Sequence, residues 1–265
     1  MFYAIRQWCI DVTLNKQPQS FHIFLTGGAG TGKTHLLKAI YAEATRLLSK
    51  SVNPPNSTTV VLTAPTGTAA YNVKGATLHT VYSLSKMLTM PYKPLGESTL
   101  NTLRQKLDQL KILVIDEISM VDMKLLSYVH GRLCQIKHCK QYFGNVSILA
   151  VGDFYQLSPV RQAPLYKDLN TIQVDLWNPL FKIVQLTEIM RQKDDVEFAL
   201  LLNRIRTHLK GQKLLEKDLH LLQSVSSEES SFPTALHVYP TNIEVENHNS
   251  KMMKETCVCK GKRFL

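Results

Sequence analysis

The sequence predicts an α/β protein with a parallel sheet and flanking helices. Short apolar runs alternate with segments of helical periodicity along most of the chain, as repeated βαβ units require. Polar residues collect where several of these apolar runs end. Since the carboxyl ends of parallel strands lie at one edge of a sheet, we expect a ligand site along that edge.

A glycine-rich turn joins the first apolar run, 21–26, to a helical segment. Its spacing is G-x-x-x-x-G-K-[ST], with a strand pattern before it and a helix pattern after it, so a chance glycine-rich turn is disfavoured. The predicted nucleotide-binding residues are Gly27, Gly28, Ala29, Gly30, Thr31, Gly32, Lys33 and Thr34. We expect the Lys33 ammonium to reach the β- and γ-phosphates and the Thr34 hydroxyl to ligate Mg²⁺.

Composition indicates a soluble globular chain with a polyanionic partner. The 265 residues are 44% hydrophobic, which suffices for one large domain or two ordinary ones. The net charge is +10, and residues 1–186 hold 19 Lys and Arg against 10 Asp and Glu. The positive excess therefore lies in the part that carries the glycine-rich turn, where a nucleic acid is a candidate partner.

Cysteine spacing and hydropathy predict an intracellular protein. The five cysteines lack the paired C-x₂-C elements of a zinc site, so we expect reduced thiols. We find no apolar run of roughly 20 residues and no signal-peptide pattern after Met1, which predicts that the chain contacts no membrane.

The remaining elements follow in order. Predicted strands are 59–63, 111–115, 146–151, 181–186 and 234–239, and predicted helices are 1–14, the segment after Lys33, 123–135, 196–209 and one beginning near Ile243. Residues 71–110 are expected to form a surface excursion before a helix. We predict a first domain over 1–186 with a RecA-like P-loop core, and the incomplete beginning of a second domain with its own sheet over 187–265.

Two carboxylates, Asp116 and Glu117, close the strand 111–115. Such a pair after a buried strand is what an ATPase needs: Asp116 would hold Mg²⁺ and Glu117 would polarise the water that attacks the γ-phosphate. The alternative is a pair of solvated carboxylates at a strand end.

Two further residues follow later strand ends. Gln156, in the run GDFYQLSPV, could hydrogen-bond both the γ-phosphate and the attacking water, or could be a polar turn residue. Arg191 could stabilise transition-state charge on the γ-phosphate, or could be a surface arginine paired with Glu188 or Asp194.

The turn after the second strand is a candidate nucleic-acid contact. Small residues and backbone N–H groups at Thr66 and Gly67 can follow a phosphodiester backbone, and His79 can bond to or stack on it. A structural histidine is the alternative for His79.

Five motifs, in this order and roughly at this spacing, resemble the petite-integration-frequency (Pif-type) helicases of superfamily one: FLTGGAGTGKTHLL, LTAPTGTAAYNVKGATLHT, LVIDEISMVD, FGNVSILAVGDFYQLSPV and LTEIMRQ. The resemblance runs from Phe21 to about Asn249. It implies that residues 187–265 begin the second of two RecA-like domains. Together the two domains would clamp ATP with Mg²⁺ and move 5′ to 3′ along single-stranded DNA, unwinding duplexes at junctions.

The resemblance also implies roles for matched positions. Lys33, Glu117, Gln156 and Arg191 would be the catalytic residues, Thr34 and Asp116 the Mg²⁺ ligands, and Thr66, Gly67 and His79 the DNA contacts. It further implies roles in DNA repair, recombination and telomere maintenance, a nuclear or mitochondrial location in a eukaryote, and a monomer.

The chain departs from the family pattern in two places. The adenine-recognising glutamine motif has no clear counterpart, since Gln7 falls inside an amphipathic pattern, and the late S-Q-G and A-L-S-R tracts are not found. We therefore expect a fragment, a truncated copy or a short isoform. A non-catalytic nucleic-acid-binding module is the rival interpretation. A small-molecule P-loop kinase is disfavoured, because it leaves the Thr66 and His79 turn without a role.

Overall fold

A computed structural model of the chain contains one six-stranded sheet in the order β3-β2-β4-β5-β1-β6. The structure describes residues 1–52, 57–167, 175–190, 195–208, 211–225 and 235–259, without the side chains of 255–259. The strands are β1 (His22–Gly27), β2 (Val60–Ala64), β3 (Ala76–Thr77), β4 (Ile112–Ile115), β5 (Ser147–Gly152) and β6 (Lys182–Leu186). Neighbouring strands pair in parallel throughout, which confirms the predicted fold class.

Nine α-helices are found in the described part of the chain. They are α1 (Phe2–Thr13), α2 (Lys33–Leu48), α3 (Gly67–Asn72), α4 (Leu78–Val81), α5 (Glu97–Leu107), α6 (Met123–Lys137), α7 (Val196–Arg206), α8 (Glu216–Ser224) and α9 (Asn242–Cys259). None of the helices in the described part of the chain is long and apolar enough to cross a membrane.

The central strands are apolar because helices cover both faces of the sheet. Every residue of β4 and β5 is buried, as parallel sheets with two covered faces require. Side chains alternate between two hydrophobic clusters: Leu113 and Ile115 belong to one, while Ile112 and Val114 belong to the other. The strand period of two therefore divides the core into two layers.

Helices α1 and α2 form the first layer. Ile5 and Cys9 of α1 and Leu37 and Ile40 of α2 are buried against the sheet in the same cluster. Burial raises the pKa of the Cys9 thiol to about 12, and the nearby Glu43 carboxylate adds to the effect. The N-terminal helix is therefore part of the domain core.

Helices α5 and α6 form the second layer, and a buried arginine ties the preceding loop to it. The Arg132 guanidinium donates to the Tyr92 hydroxyl at 2.6 Å and to the Lys93 carbonyl at 2.8 Å. It also lies over the Tyr92 ring, 5.1 Å from the centroid. The predicted surface excursion is thus anchored to α6, and its earlier part contributes the edge strand β3, which was not predicted.

The chain divides into two compact units, Met1–Gln212 and Lys213–Leu265. The first unit extends past residue 186, because α7 belongs to it. In the second unit the predicted strand 234–239 is wrong for its described part, since Ala235–Tyr239 are irregular. None of the described residues of that unit forms a strand with which it could pair, and an isolated strand leaves its backbone hydrogen bonds unsatisfied. The helix predicted near Ile243 is confirmed as α9.

The first testable prediction concerns His22, at the start of β1. Its ring packs against Phe143 and Phe181, with centroids 5.3 and 5.7 Å away. Burial together with the nearby His130 lowers its pKa from 6.5 to about 4. The unfolded chain therefore binds a proton at this side chain more readily than the folded one. We expect stability to be lost as the pH falls from about 6.5 towards 4.

Replacing His22 with Phe removes this titration, so the melting temperature of the variant should fall less than that of the wild type over this pH range. Thermal denaturation at stepped pH values measures the difference. His35→Phe, at an exposed position of α2, should keep the wild-type pH dependence. An equal loss of stability in wild type and His22→Phe would contradict the assignment.

Candidate nucleotide-binding site

The phosphate loop connects the end of β1 to the start of α2. Gly30 and Gly32 have φ angles of 77° and 86°, in the left-handed region that glycine enters without steric cost. The Thr31 hydroxyl donates to the Gly28 carbonyl at 2.9 Å and closes the loop from within. This geometry leads the chain into α2, whose N-terminal N–H groups favour an anion.

The Lys33 side chain lies inside this loop. Its ammonium donates to the Gly27 carbonyl at 2.8 Å and to the Gly28 carbonyl at 3.0 Å. Burial lowers the pKa of Lys33, while the carboxylates of Asp153 and Glu117 act in the opposite direction. The ammonium is therefore held among the loop carbonyls with two acidic side chains nearby.

The paired carboxylates follow β4 in the sheet. Asp116 is 9% exposed, and burial raises its pKa despite a hydrogen bond from the Glu117 backbone. Burial also raises the pKa of Glu117, and the neighbouring charges of Asp116 and Asp153 raise it further. Glu117 has φ 50° and ψ 46°, a left-handed conformation that is uncommon for a residue with a side chain and is often found at functional sites.

Gln156 lies in a turn that follows β5 and is organised by Asp153. The Asp153 side chain is 1% exposed. Its Oδ1 accepts from the Tyr155 backbone N–H at 3.1 Å, and its Oδ2 accepts from Gln156 Nε2 at 3.2 Å. The Gln156 backbone N–H also donates to the Asp153 carbonyl at 2.9 Å. The buried carboxylate thus fixes both the backbone and the side chain of the turn.

Arg206, at the end of α7, completes the site and was not predicted. Its Nε donates to Asp153 Oδ2 at 2.5 Å and its Nη2 to Asp153 Oδ1 at 2.7 Å, a bidentate pair. Burial alone would raise the pKa of Asp153, but the hydrogen bonds from Arg206 and Tyr155 and the positive charges of Arg206 and Lys33 lower it.

Only part of this arrangement could be predicted from the sequence. Asp153 carries the same signal as Asp116, a carboxylate directly after a buried strand, and could have been singled out. Arg206 could not, because a basic residue in the last turn of a helix is ordinary.

These elements enclose a cleft of about 630 Å³ beside the phosphate loop. Its lining residues are Gly28, Ala29, Thr31, Tyr155, Gln156, Gln185, Leu186, Thr187, Ile189, Ala199, Leu202, Asn203, Ile205 and Arg206. The structure therefore brings Gln156 to the phosphate loop, as an ATP-sensing role requires. Arg191 lies outside the described residues.

The predicted DNA contacts lie at the other end of the same sheet edge. Thr66 follows β2 and His79 follows β3, and these are neighbouring strands. The Thr66 hydroxyl accepts from the Ala69 N–H at 3.3 Å and caps α3, so this residue has a structural role. Gly67 is exposed, and a Cβ placed on it would meet no atom within 4 Å.

The donor set of this edge fits Mg²⁺. Mg²⁺ prefers oxygen ligands and takes few of them from the protein when phosphates supply the rest. The exposed hydroxyl of Thr34 and the buried carboxylate of Asp116 meet that need, and a cation would offset the cost of burying Asp116. Among the described residues, no group of three or more His, Cys, Asp or Glu side chains could hold a metal.

The sheet and this site define a RecA-like P-loop NTPase. A family model described as PIF1-like helicase matches residues 4–209, and the chain belongs to that family. The ATP-dependent DNA helicase PIF1 of Emericella nidulans is 31% identical over 242 residues, which is 87% of this chain and 30% of that protein. The chain thus spans less than a third of this curated relative.

Solved structures agree. Bacteroides Pif1 bound to single-stranded DNA superimposes with a TM-score of 0.68 at 28% identity, over 95% of this chain and 56% of that one. Pif1 from Bacteroides in complex with ADP-AlF₃ and single-stranded DNA gives a TM-score of 0.69 at 26% identity, over 94% of this chain and 57% of that one.

The second testable prediction compares two neighbouring glycines of the loop. A Cβ on Gly27 would lie 2.7 Å from the Leu186 carbonyl oxygen of β6, whereas a Cβ on Gly28 would meet its nearest atom at 3.9 Å. Gly27→Ala should therefore lower the free energy of unfolding by about 1–3 kcal/mol through overpacking. Gly28→Ala should change it by less than about 0.5 kcal/mol. Urea unfolding of both variants measures this, and equal losses would disprove the close approach of β1 and β6.

Proposed function

We propose that this chain is the nucleotide-binding part of an ATP-dependent DNA helicase that moves 5′ to 3′ along single-stranded DNA. The proposal rests on one observation above others. Strands β1, β4 and β5 bring the phosphate loop, the Asp116 and Glu117 pair and the Gln156 turn to one edge of the sheet. Family membership then connects that edge to DNA unwinding.

The geometry supports a separate role in ATP hydrolysis for each of the site residues. The loop glycines present backbone N–H groups to the polyphosphate, and Lys33 exchanges its carbonyl partners for phosphate oxygens. Glu117 orients the attacking water and accepts its proton, a task to which a raised carboxyl pKa is suited. Gln156 bonds the γ-phosphate and so distinguishes ATP from ADP, and Arg191 adds positive charge there in the transition state.

Thr34 and Asp116 would hold Mg²⁺, and the ion would neutralise negative charge on the bound phosphates.

Single-stranded DNA is the proposed partner of the far end of the sheet edge. Thr66, Gly67 and His79 would contact its backbone, and the positive excess over residues 1–186 would attract it. Four further properties stay predictions. They are unwinding at duplex junctions, a monomeric state, a nuclear or mitochondrial location, and roles in DNA repair, recombination and telomere maintenance.

A non-catalytic module that binds ATP and nucleic acid is the second candidate. It is kept because the match covers only 30% of the Emericella relative, so the turnover of the whole protein is not carried over to this chain. A two-domain motor needs residues on both walls of its ATP cleft, and we expect weak or absent strand separation by these 265 residues alone.

The third testable prediction uses Lys33→Ala. Removal of the ammonium should abolish Mg²⁺-dependent ATP hydrolysis and any stimulation of it by single-stranded DNA, measured as phosphate release. Lys50→Ala, which removes an exposed lysine just beyond α2, should retain the wild-type rate. Undiminished turnover by Lys33→Ala would refute the nucleotide site.

The fourth testable prediction separates the two candidates through Glu117→Gln. If the chain hydrolyses ATP, this variant should bind Mg²⁺-ATP but release phosphate about 10²–10⁴-fold more slowly, the usual contribution of a general base. Glu97→Gln, at an exposed position in the first turn of α5, is the control.

Wild-type turnover should also decline at acid pH through a pKa above the ordinary glutamate value of 4.5, because Glu117 must be ionised to accept a proton. Identical phosphate release from wild type and Glu117→Gln would support the non-catalytic module instead.

A further inference from the structure

The Asp153 carboxylate is shared between two elements that are distant in sequence. Each of its oxygens accepts one hydrogen bond from the Gln156 turn and one from Arg206 of α7. Burying a carboxylate costs free energy unless it is paired and hydrogen-bonded, and these four hydrogen bonds offset that cost. The position of the turn and that of the helix are therefore coupled through one group.

Arg206 is itself held in place. Its guanidinium lies over the Tyr155 ring, 4.7 Å from the centroid, and its Nη1 donates to Asn203 Oδ1 at 3.2 Å. Asn203 also approaches the phosphate loop, since a Cβ on Gly28 would lie 3.9 Å from its Oδ1. Helix α7 thus connects the loop that binds phosphates to the turn that carries Gln156.

Arg206 has a second effect through charge. Among the acidic residues that act on the Lys33 ammonium, Asp153 acts most strongly. The positive charge of Arg206 acts on the pKa of Lys33 in the opposite direction, so the ion pair partly offsets the effect of Asp153 on this ammonium. The ion pair therefore affects both the Gln156 turn and the Lys33 ammonium.

We propose that Arg206 and Asp153 are positioning residues that hold Gln156 where it distinguishes ATP from ADP, and that they couple this turn to α7. The inference rests on the proposed function, because it presupposes that Gln156 contacts the γ-phosphate. Neither Arg206 nor Asp153 needs to touch the nucleotide.

The test measures nucleotide preference and needs no turnover. Affinities for the methylanthraniloyl derivatives of ADP and of the non-hydrolysable analogue AMP-PNP, both with Mg²⁺, are determined for the 265-residue chain by fluorescence titration. The wild type should prefer the triphosphate analogue. Gln156→Ala and Arg206→Gln should each reduce that preference by about tenfold, the factor expected for one hydrogen bond to a charged group.

A double-mutant cycle shows whether the two residues act through the same contact. If Arg206 acts through Gln156, the double variant should lose no more preference than Gln156→Ala alone. Arg206→Lys keeps a positive charge beside the buried carboxylate and so protects the fold. Because lysine cannot form the bidentate pair, this variant should recover only part of the preference that Arg206→Gln loses.

The matched control is Arg46→Gln. Arg46 pairs with Glu43 through Nε and Nη2, both at 2.8 Å, so it has the same bidentate geometry at the surface of α2. This variant should keep the wild-type nucleotide preference.

The outcomes are distinguishable. If Arg206→Gln and Arg206→Lys lower the melting temperature but leave the preference unchanged while Gln156→Ala reduces it, the pair is merely structural and the inference is overturned. Additive losses in the cycle would overturn it as well. If the wild type binds neither nucleotide, the proposed function fails first and the inference fails with it.

Discussion

The hydrogen-bonded register of β1 between β5 and β6 is the constraint on which the site depends. Thr26 pairs with Gly152 and Gly27 pairs with Leu186, so three chain segments leave the sheet at the same level. One becomes the phosphate loop, one becomes the Asp153 turn and one leads towards α7. A shift by one residue would reverse the faces of all the side chains and separate these segments. The chemistry at the edge is therefore set by backbone pairing inside the sheet.

Two layers of core hold that register. The odd and even residues of β4 and β5 supply separate clusters, one covered by α1 and α2 and the other by α5 and α6. Covering both faces excludes water from the backbone ladder, and it also makes the strands too apolar to carry polar function themselves. Polar groups consequently gather where the strands end. Asp116, Glu117 and Asp153 are the acidic members of this set, and each is affected by the burial that the core imposes.

The features that depend on neighbouring residues could be predicted from the sequence, whereas the contacts between residues far apart in the chain could not. The phosphate loop, the carboxylate pair and the positions of the long strands along the chain follow from short patterns in which neighbouring residues decide the outcome. The order of the strands in the sheet was not predicted. Strand β3 was missed, because two residues carry no periodicity, and the strand predicted before α9 was wrong, because a strand also needs a partner. The pairing of Arg206 with Asp153 joins residues 53 positions apart, and no local pattern marks it.

Helix α7 follows the last strand of the sheet, yet it carries Arg206 of the candidate site. A polypeptide that ended after Leu186 would keep all six strands, because β6 is the last of them in sequence. It would lose Arg206 and leave the buried Asp153 carboxylate without its bidentate partner. Expression trials that choose an end point from the sheet alone would then remove the ion pair that holds the Gln156 turn. A chain chosen for measurements of nucleotide preference should therefore extend through the end of α7.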